Sequence, residues 1–170
     1  MTINDTLRNL HLWSQEQLED DHKILLLSKL ATLELCGWIE GWMDQFVSEM
    51  ASFGCCNPNW VDEHVIKKTS GFKYDGHLRQ MLAKILGEHT LIVIERRFDA
   101  VFPGDIDRLK SNLSTLWKIR CDFAHNDISR NTQNNIYAPS WTQNQCTTIM
   151  PILSNFKDIT IKCYRETPAN

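Results

Sequence analysis

Arg120 and His125 are the two residues of this chain whose types and spacing best suit a single reaction. They lie in the run Trp117-Lys118-Ile119-Arg120-Cys121-Asp122-Phe123-Ala124-His125-Asn126-Asp127. An imidazole can take a proton from an oxygen, or return one, near neutral pH. A guanidinium can grip a phosphate with two parallel N–H bonds and stabilise the charge that builds on it during transfer. Together they suit phosphodiester cleavage without a metal, and RNA suits such a site because its 2′-hydroxyl is a built-in nucleophile. The plainer reading is an arginine paired with Asp122 or Asp127 and a histidine that helps to end a helix, since R-x-x-x-x-H spacing recurs by chance.

The elements that must hold this pair are helical. Leu109, Leu113 and Leu116 mark the inner face of a helix capped at Asp105, and Arg120 is the next member of that stripe. A guanidinium on an apolar stripe is costly unless it meets an anion or a wet cleft. At about 100° per residue, positions 120 and 125 stand about 140° apart on a straight helix. They can share a site only if the helix ends or kinks near Ala124, or if two chains contribute.

Earlier in the chain, Ile24, Leu27, Ala31, Leu35, Trp38, Trp42 and Phe46 form one helical stripe, and Cys36, Ile39, Met43, Val47 and Met50 a second beside it. A helix apolar on two faces is central in a bundle or pressed against another subunit. A short helix opens at Pro58, and Leu78, Leu82, Ile85, His89, Ile92 and Arg96 mark a further helix ending near Pro103. Residues 126–139 read as a polar loop and 140–166 as helical, divided by Pro151, with Ile159, Ile161 and Cys163 alternating as a strand would. These patterns predict an all-α bundle of about five helices in a single domain over 1–170, with its core at about 23–127 and a helical extension at 140–166.

The 170 residues carry 42% hydrophobic and 23% charged side chains, which suits a globular chain rather than a disordered one. Seven glycines and five prolines are too few for a turn-rich all-β chain. Eighteen basic against 21 acidic residues give a net charge of −3, which argues against a tight nonspecific nucleic-acid coat but not against an enzyme with a local basic patch. Residues 24–47 are interrupted by Lys29, Glu34, Glu40 and Asp44 and cannot span a membrane. The start has no basic end followed by an apolar core, and six cysteines without a repeated C-x-x-C pair do not read as a disulfide scaffold. The expectation is a cytoplasmic protein with reduced thiols.

Other candidates carry less. Cys55, Cys56 and His64 make an awkward tetrahedral set, so no metal site is expected. His89 reads as a hydrogen-bonded core residue between Ile85 and Ile92, and Trp38, Trp42 and Trp117 as core or interface rather than base-stacking platforms. Lys67, Lys68, Lys73, Arg79, Arg96, Arg97, Arg108, Lys110, Lys118 and Arg130 could converge to guide RNA or lie on a solvated mixed surface.

The segment Arg120-Cys121-Asp122-Phe123-Ala124-His125-Asn126 resembles the R-x-x-x-x-H motif of the HEPN superfamily in its form ending Ala-His. The run Leu33-Glu34-Leu35-Cys36-Gly37-Trp38-Ile39-Glu40-Gly41 is similar to the first core helix of the HEPN proteins grouped with RiboL-PSP and the MAE-type toxins. The resemblance covers about 23–127. It implies a helical homodimer whose two motifs meet in one cleft, and cofactor-free, metal-independent cleavage of RNA in toxin–antitoxin or antiviral defence, with an antitoxin or regulatory protein as partner. By the same likeness Arg120 would bind phosphate and His125 would be the acid/base. Cys121 stands where the family often has Asn, Asp or His, so Asp122 or Asn126 would supply the supporting hydrogen bond there. Glu40 falls where some relatives carry a helpful acid. Not every HEPN domain is catalytic, and the second expectation is a noncatalytic helical module that binds a partner protein or nucleic acid.

Overall fold

The computed structural model describes residues 2–17, 20–54, 56–125 and 137–166, without the side chains of Ala124 and His125. Among the described residues the chain is all-α, with seven α-helices and two π-helical stretches where the patterns predict about five helices. The first addition is α1 (Ile3–Glu16). Thr2 and Asp5 build its start: the Thr2 hydroxyl accepts from the Asp5 N–H, and the Asp5 carboxylate accepts from the Thr2 N–H at 2.9 Å. The Thr2 N–H and the Thr2 hydroxyl, both donating to it, hold the Asp5 carboxyl below its ordinary range.

The long helix α2 (Asp21–Phe53) buries the second expected stripe throughout and the first at Ala31, Leu35 and Phe46. Cys36, Ile39, Met43, Val47 and Met50 are fully buried, as are Ala31 and Leu35, while Trp38 and Trp42 lie half-buried at the edge. Next, α3 (Pro58–Val61) starts where the Asn57 side chain accepts the N–H groups of Asn59 and Trp60, and it passes into a π-helical stretch, Asp62–Ile66. A second π-helical stretch, Tyr74–Leu78, runs into α4 (Arg79–Leu86).

The single helix expected from Leu78 to Pro103 is two helices. Gly87 adopts φ +82° and ψ 148°, closing α4 and opening α5 (Glu88–Val101). Only glycine takes that backbone without strain. The break resets the phase, so Leu91, Ile94 and Phe98 are the buried positions of α5 and His89 is exposed. His89 is therefore not the core residue that its sequence neighbours suggest. The run Leu91-Ile92-Val93-Ile94 is helical despite its β-branched residues.

Beyond Gly104, α6 spans Asp105–His125. Finally, α7 runs unbroken over Pro139–Glu166 with Pro151 inside it, so neither a division nor a terminal strand forms. Pro151 and Thr147 both lie on the exposed side, where water can serve the carbonyl that the proline leaves without an N–H.

The helices form two compact units. One comprises Met1–Ile39 and Thr115–Ile149. Its core holds Leu7, Leu10, Leu35, Cys36, Leu116 and Ile149. Within it the buried Thr32 and Thr142 hydroxyls bond each other at 3.3 Å, and the Cys146 thiol donates to Asn4 Oδ1. Burial pushes that thiol up to about 11.

The other unit comprises Glu40–Ser114 and Met150–Asn170. Its centre is Phe156, whose ring meets Phe46, Tyr74 and Phe98 edge-on at centroid distances of 6.4, 5.8 and 5.3 Å. The Tyr74 hydroxyl ends this cluster at Glu95 Oε1, which Arg79 also grips while reaching Glu88. Burial first, then the Glu95 charge, carries the Tyr74 phenol far above its ordinary value.

Candidate functional site

The second half of α6 settles what Arg120 does in the stripe. Leu109, Leu113 and Leu116 are fully buried, but the stripe then continues through Ile119 and Phe123 rather than Arg120. Arg120 sits at the border, half-buried. The apolar stripe thus keeps its own phase, and the guanidinium avoids the full desolvation that a core position would impose.

The Arg120 Cζ lies 5.3 Å from the centroid of the Trp117 ring, one turn earlier on the same helix. A guanidinium over an indole face is held by the negative ring quadrupole. Asp122 is exposed and makes no ion pair among the described residues, so the pairing of Arg120 with Asp122 is not formed. Cys121 is a half-buried free thiol.

The backbone is α-helical through His125, so no break separates positions 120 and 125. Their Cα atoms therefore stand about 140° apart around the axis. His125 is the last residue of the α6 range, one position past Ala124. The His125 side chain, Asn126, Asp127 and Arg130 lie outside the described residues.

Glu40 is half-buried, and its charge acts on Asp44 and His77. Burial raises the Asp44 carboxyl above its ordinary range, helped by the negative charges of Glu40 and Asp62. Burial also lowers the His77 imidazole, as does the Lys73 charge, while Glu40 pulls the other way. His77 Nδ1 accepts the Lys73 backbone N–H at 2.9 Å. The neutral ring must then carry its proton on Nε2 and present a donor there, which suits a loop clasp better than a general base. Nothing in the sequence pattern singled out His77.

Many of the cations that could have made a basic patch are engaged. Lys67 bridges Asp62 and Glu63 at 2.7 Å each, Arg79 binds Glu88 and Glu95, Arg97 reaches Glu166 at 2.8 Å, Arg108 pairs with Asp105 and Lys110 with Asp75. His64 is exposed and stacked on Trp60 with ring centroids 5.4 Å apart. Cys55 lies outside the described residues, and among those described no group of three or more His, Cys, Asp or Glu side chains is arranged to hold a metal ion. No described helix is long and apolar enough to cross a membrane.

Comparison of the chain with protein-family models, with curated proteins and with solved structures finds no match.

Proposed function

We propose that this protein is a HEPN-type endoribonuclease that acts as a homodimer and cleaves RNA without a metal, as the toxic component of a toxin–antitoxin or antiviral defence module. Arg120 holds the scissile phosphate, and His125 takes the 2′-hydroxyl proton and returns one to the departing 5′-oxygen. The phosphorus forms a bond to the 2′-oxygen as the bond to the 5′-oxygen breaks, leaving a 2′,3′-cyclic phosphate. Asp122 and Asn126 would support the pair. RNA is the substrate, and an antitoxin or regulatory protein restrains the enzyme in its host.

The observation that carries this reading is the placing of Arg120 at the rim of a buried stripe, its flat face on Trp117, five residues before His125. An arginine at the border of the core keeps its charge near water rather than in the apolar interior. A five-helix HEPN core would be drawn from the seven helices described, with α2 and α6 as its principal members.

The test is incubation of the purified protein and a His125→Ala variant with total RNA in excess EDTA, followed by mapping of the fragment ends. Cutting by the parent alone, with cyclic-phosphate or 3′-phosphate ends, is the expected result. Strict dependence on added divalent metal would sink the mechanism.

A second reading is favoured by the ion pairs that occupy Lys67, Arg79, Arg97, Arg108 and Lys110. Such a surface attracts RNA weakly, as a noncatalytic helical module that binds a partner protein would. That reading expects intact RNA and no change in host growth on His125→Ala.

A further inference from the structure

We infer that the face shared by α1 and the first half of α2 is a docking surface for a second copy of this chain, paired about a two-fold axis that crosses α2 beside Leu33. The ribonuclease reading needs a dimer but no particular surface. The shape and exposure of this face point to a second copy whatever the chemistry of Arg120 and His125.

Helices α1 and α2 run antiparallel, since residues 17–20 join them and the start of α1 returns beside residues 33–38. There Thr2, Thr6, Leu33, Gly37 and Trp38 help to line an open groove of about 380 Å³. A Cβ built on Gly37 would meet nothing within 4 Å, so the groove is open at its floor. Two turns earlier on the same side of α2 stands Leu30, and one turn before that Leu26, 43% and 44% exposed. On α1, Trp13 lies two turns beyond Thr6 and is 52% exposed. The hollow and the projecting apolar side chains thus occupy opposite ends of one face.

Such a face is complementary to itself. A two-fold axis midway between Leu30 and Gly37 sets the Leu30 of each copy into the Gly37 hollow of the other. Trp13, Leu26, Leu30, Leu33 and Gly37 give the face an uncharged centre, and its rims carry one charge of each sign at Lys29 and Glu34. An acidic or basic partner finds no matching field there, whereas a second copy needs none. Glu34 is exposed, so near the axis its carboxylate can turn to water.

The size is that of a dimer contact. Trp13, Leu26 and Leu30 leave about 300 Å² of mostly apolar surface in water, a patch large enough to mark an interaction site. Two helices about 10 Å wide, over about 21 Å of α1 and about 28 Å of α2, offer about 500 Å² in projection. Ridged side chains raise this toward the about 800 Å² that each partner gives to a stable dimer.

The experiment is sedimentation velocity of the full chain from about 1 to about 100 μM, with circular dichroism to show that each variant folds. The parent should be dimeric at the upper end. Leu30→Glu should weaken the dimer about 100-fold or more, because each contact loses two leucines and gains two buried charges. Gly37→Phe, which fills the hollow, should weaken it about 10-fold or more, whereas the single methyl of Gly37→Ala leaves the hollow open. Val101→Glu, at an exposed position of α5, should leave the dimer intact. Leu30→p-benzoylphenylalanine, irradiated in a mixture of isotopically light and heavy protein, should cross-link to residues 33–38 of the other copy. That arm decides the matter should either of the first two variants fail to fold.

A dimer that Leu30→Glu and Gly37→Phe leave intact, or cross-links that fall elsewhere, overturns this surface and leaves the ribonuclease reading standing. A parent that stays monomeric throughout overturns this surface and the dimer of the ribonuclease reading together. RNA left uncut by a protein that is dimeric through this face sinks the ribonuclease reading alone.

Discussion

Tyr74 Oη and Arg79 Nε converge on one oxygen of Glu95, at 2.8 and 2.9 Å. Tyr74 is among the most deeply buried side chains, so its hydroxyl has no water to fall back on. Glu95→Ala would strand a buried donor, while Arg79 would keep Glu88. The expected cost is about 1–3 kcal/mol, the desolvation penalty of the orphaned group, against about 1 kcal/mol for Tyr74→Phe, which removes the donor itself. Urea unfolding at neutral pH checks both; equal losses would mean that the hydroxyl is not the element that matters.

His77 gives the fold a pH dependence of definite sign. Its imidazole is lowered from the ordinary 6.5, so the unfolded chain binds that proton more readily than the folded one. The contribution of His77 to stability is whole above 6.5 and is lost as the pH falls below it. Protonation of Nδ1 also removes the acceptor that clasps the Lys73 N–H. Asp44, raised by burial, works in the opposite direction, since its protonation relieves a strained charge. The two are separated by His77→Asn, whose amide oxygen can accept the same N–H without titrating. The urea midpoint of the parent should fall more steeply than that of His77→Asn between about pH 7 and pH 5.

Two glycines should answer alanine with opposite signs. At Gly87 the backbone sits at φ +82°, which a Cβ does not tolerate, and Gly87→Ala should cost about 1–3 kcal/mol. Gly37 is inside α2, and a Cβ added there meets nothing within 4 Å. Gly37→Ala should stabilise the chain by up to about 1 kcal/mol through helix propensity alone. Thermal melts of the two variants give the signs directly, and destabilisation by Gly37→Ala would show that something packs against that face.

The helical class was readable because α2 and α6 announce it with long stripes: Cys36, Ile39, Met43, Val47 and Met50 recur at helical steps and are all buried. What the pattern could not convey was where a stripe is interrupted. Gly87 looks like any tolerated helical glycine until its φ is known, and missing it misplaced His89. The start of α1 was written in Thr2 and Asp5, a capping pair with aspartate in the place where glutamate is usual. The pattern places Arg120 next in the Leu109–Leu116 stripe because steps of three and four both continue a helix face; Ile119 and Phe123 take that role. The contact of Arg120 with Trp117 is compatible with their spacing of three residues, but spacing alone does not say which neighbours a cation meets.

The unbroken course of α6 makes the composition of the proposed site testable without any structure of a dimer. Positions 120 and 125 lie about 140° apart on one helix, so a phosphate held by one Arg120 is best served by the His125 of a second chain. Arg120→Ala and His125→Ala are each expected to be inactive alone. Mixed after unfolding together and refolding, they would form mixed dimers for about half of all pairs, and each mixed dimer would keep one intact site of two. About a quarter of the parent RNA-cleaving activity should then return. If both residues of a site come from the same chain, every site in the mixture carries a defect, and no activity returns however long the variants are mixed.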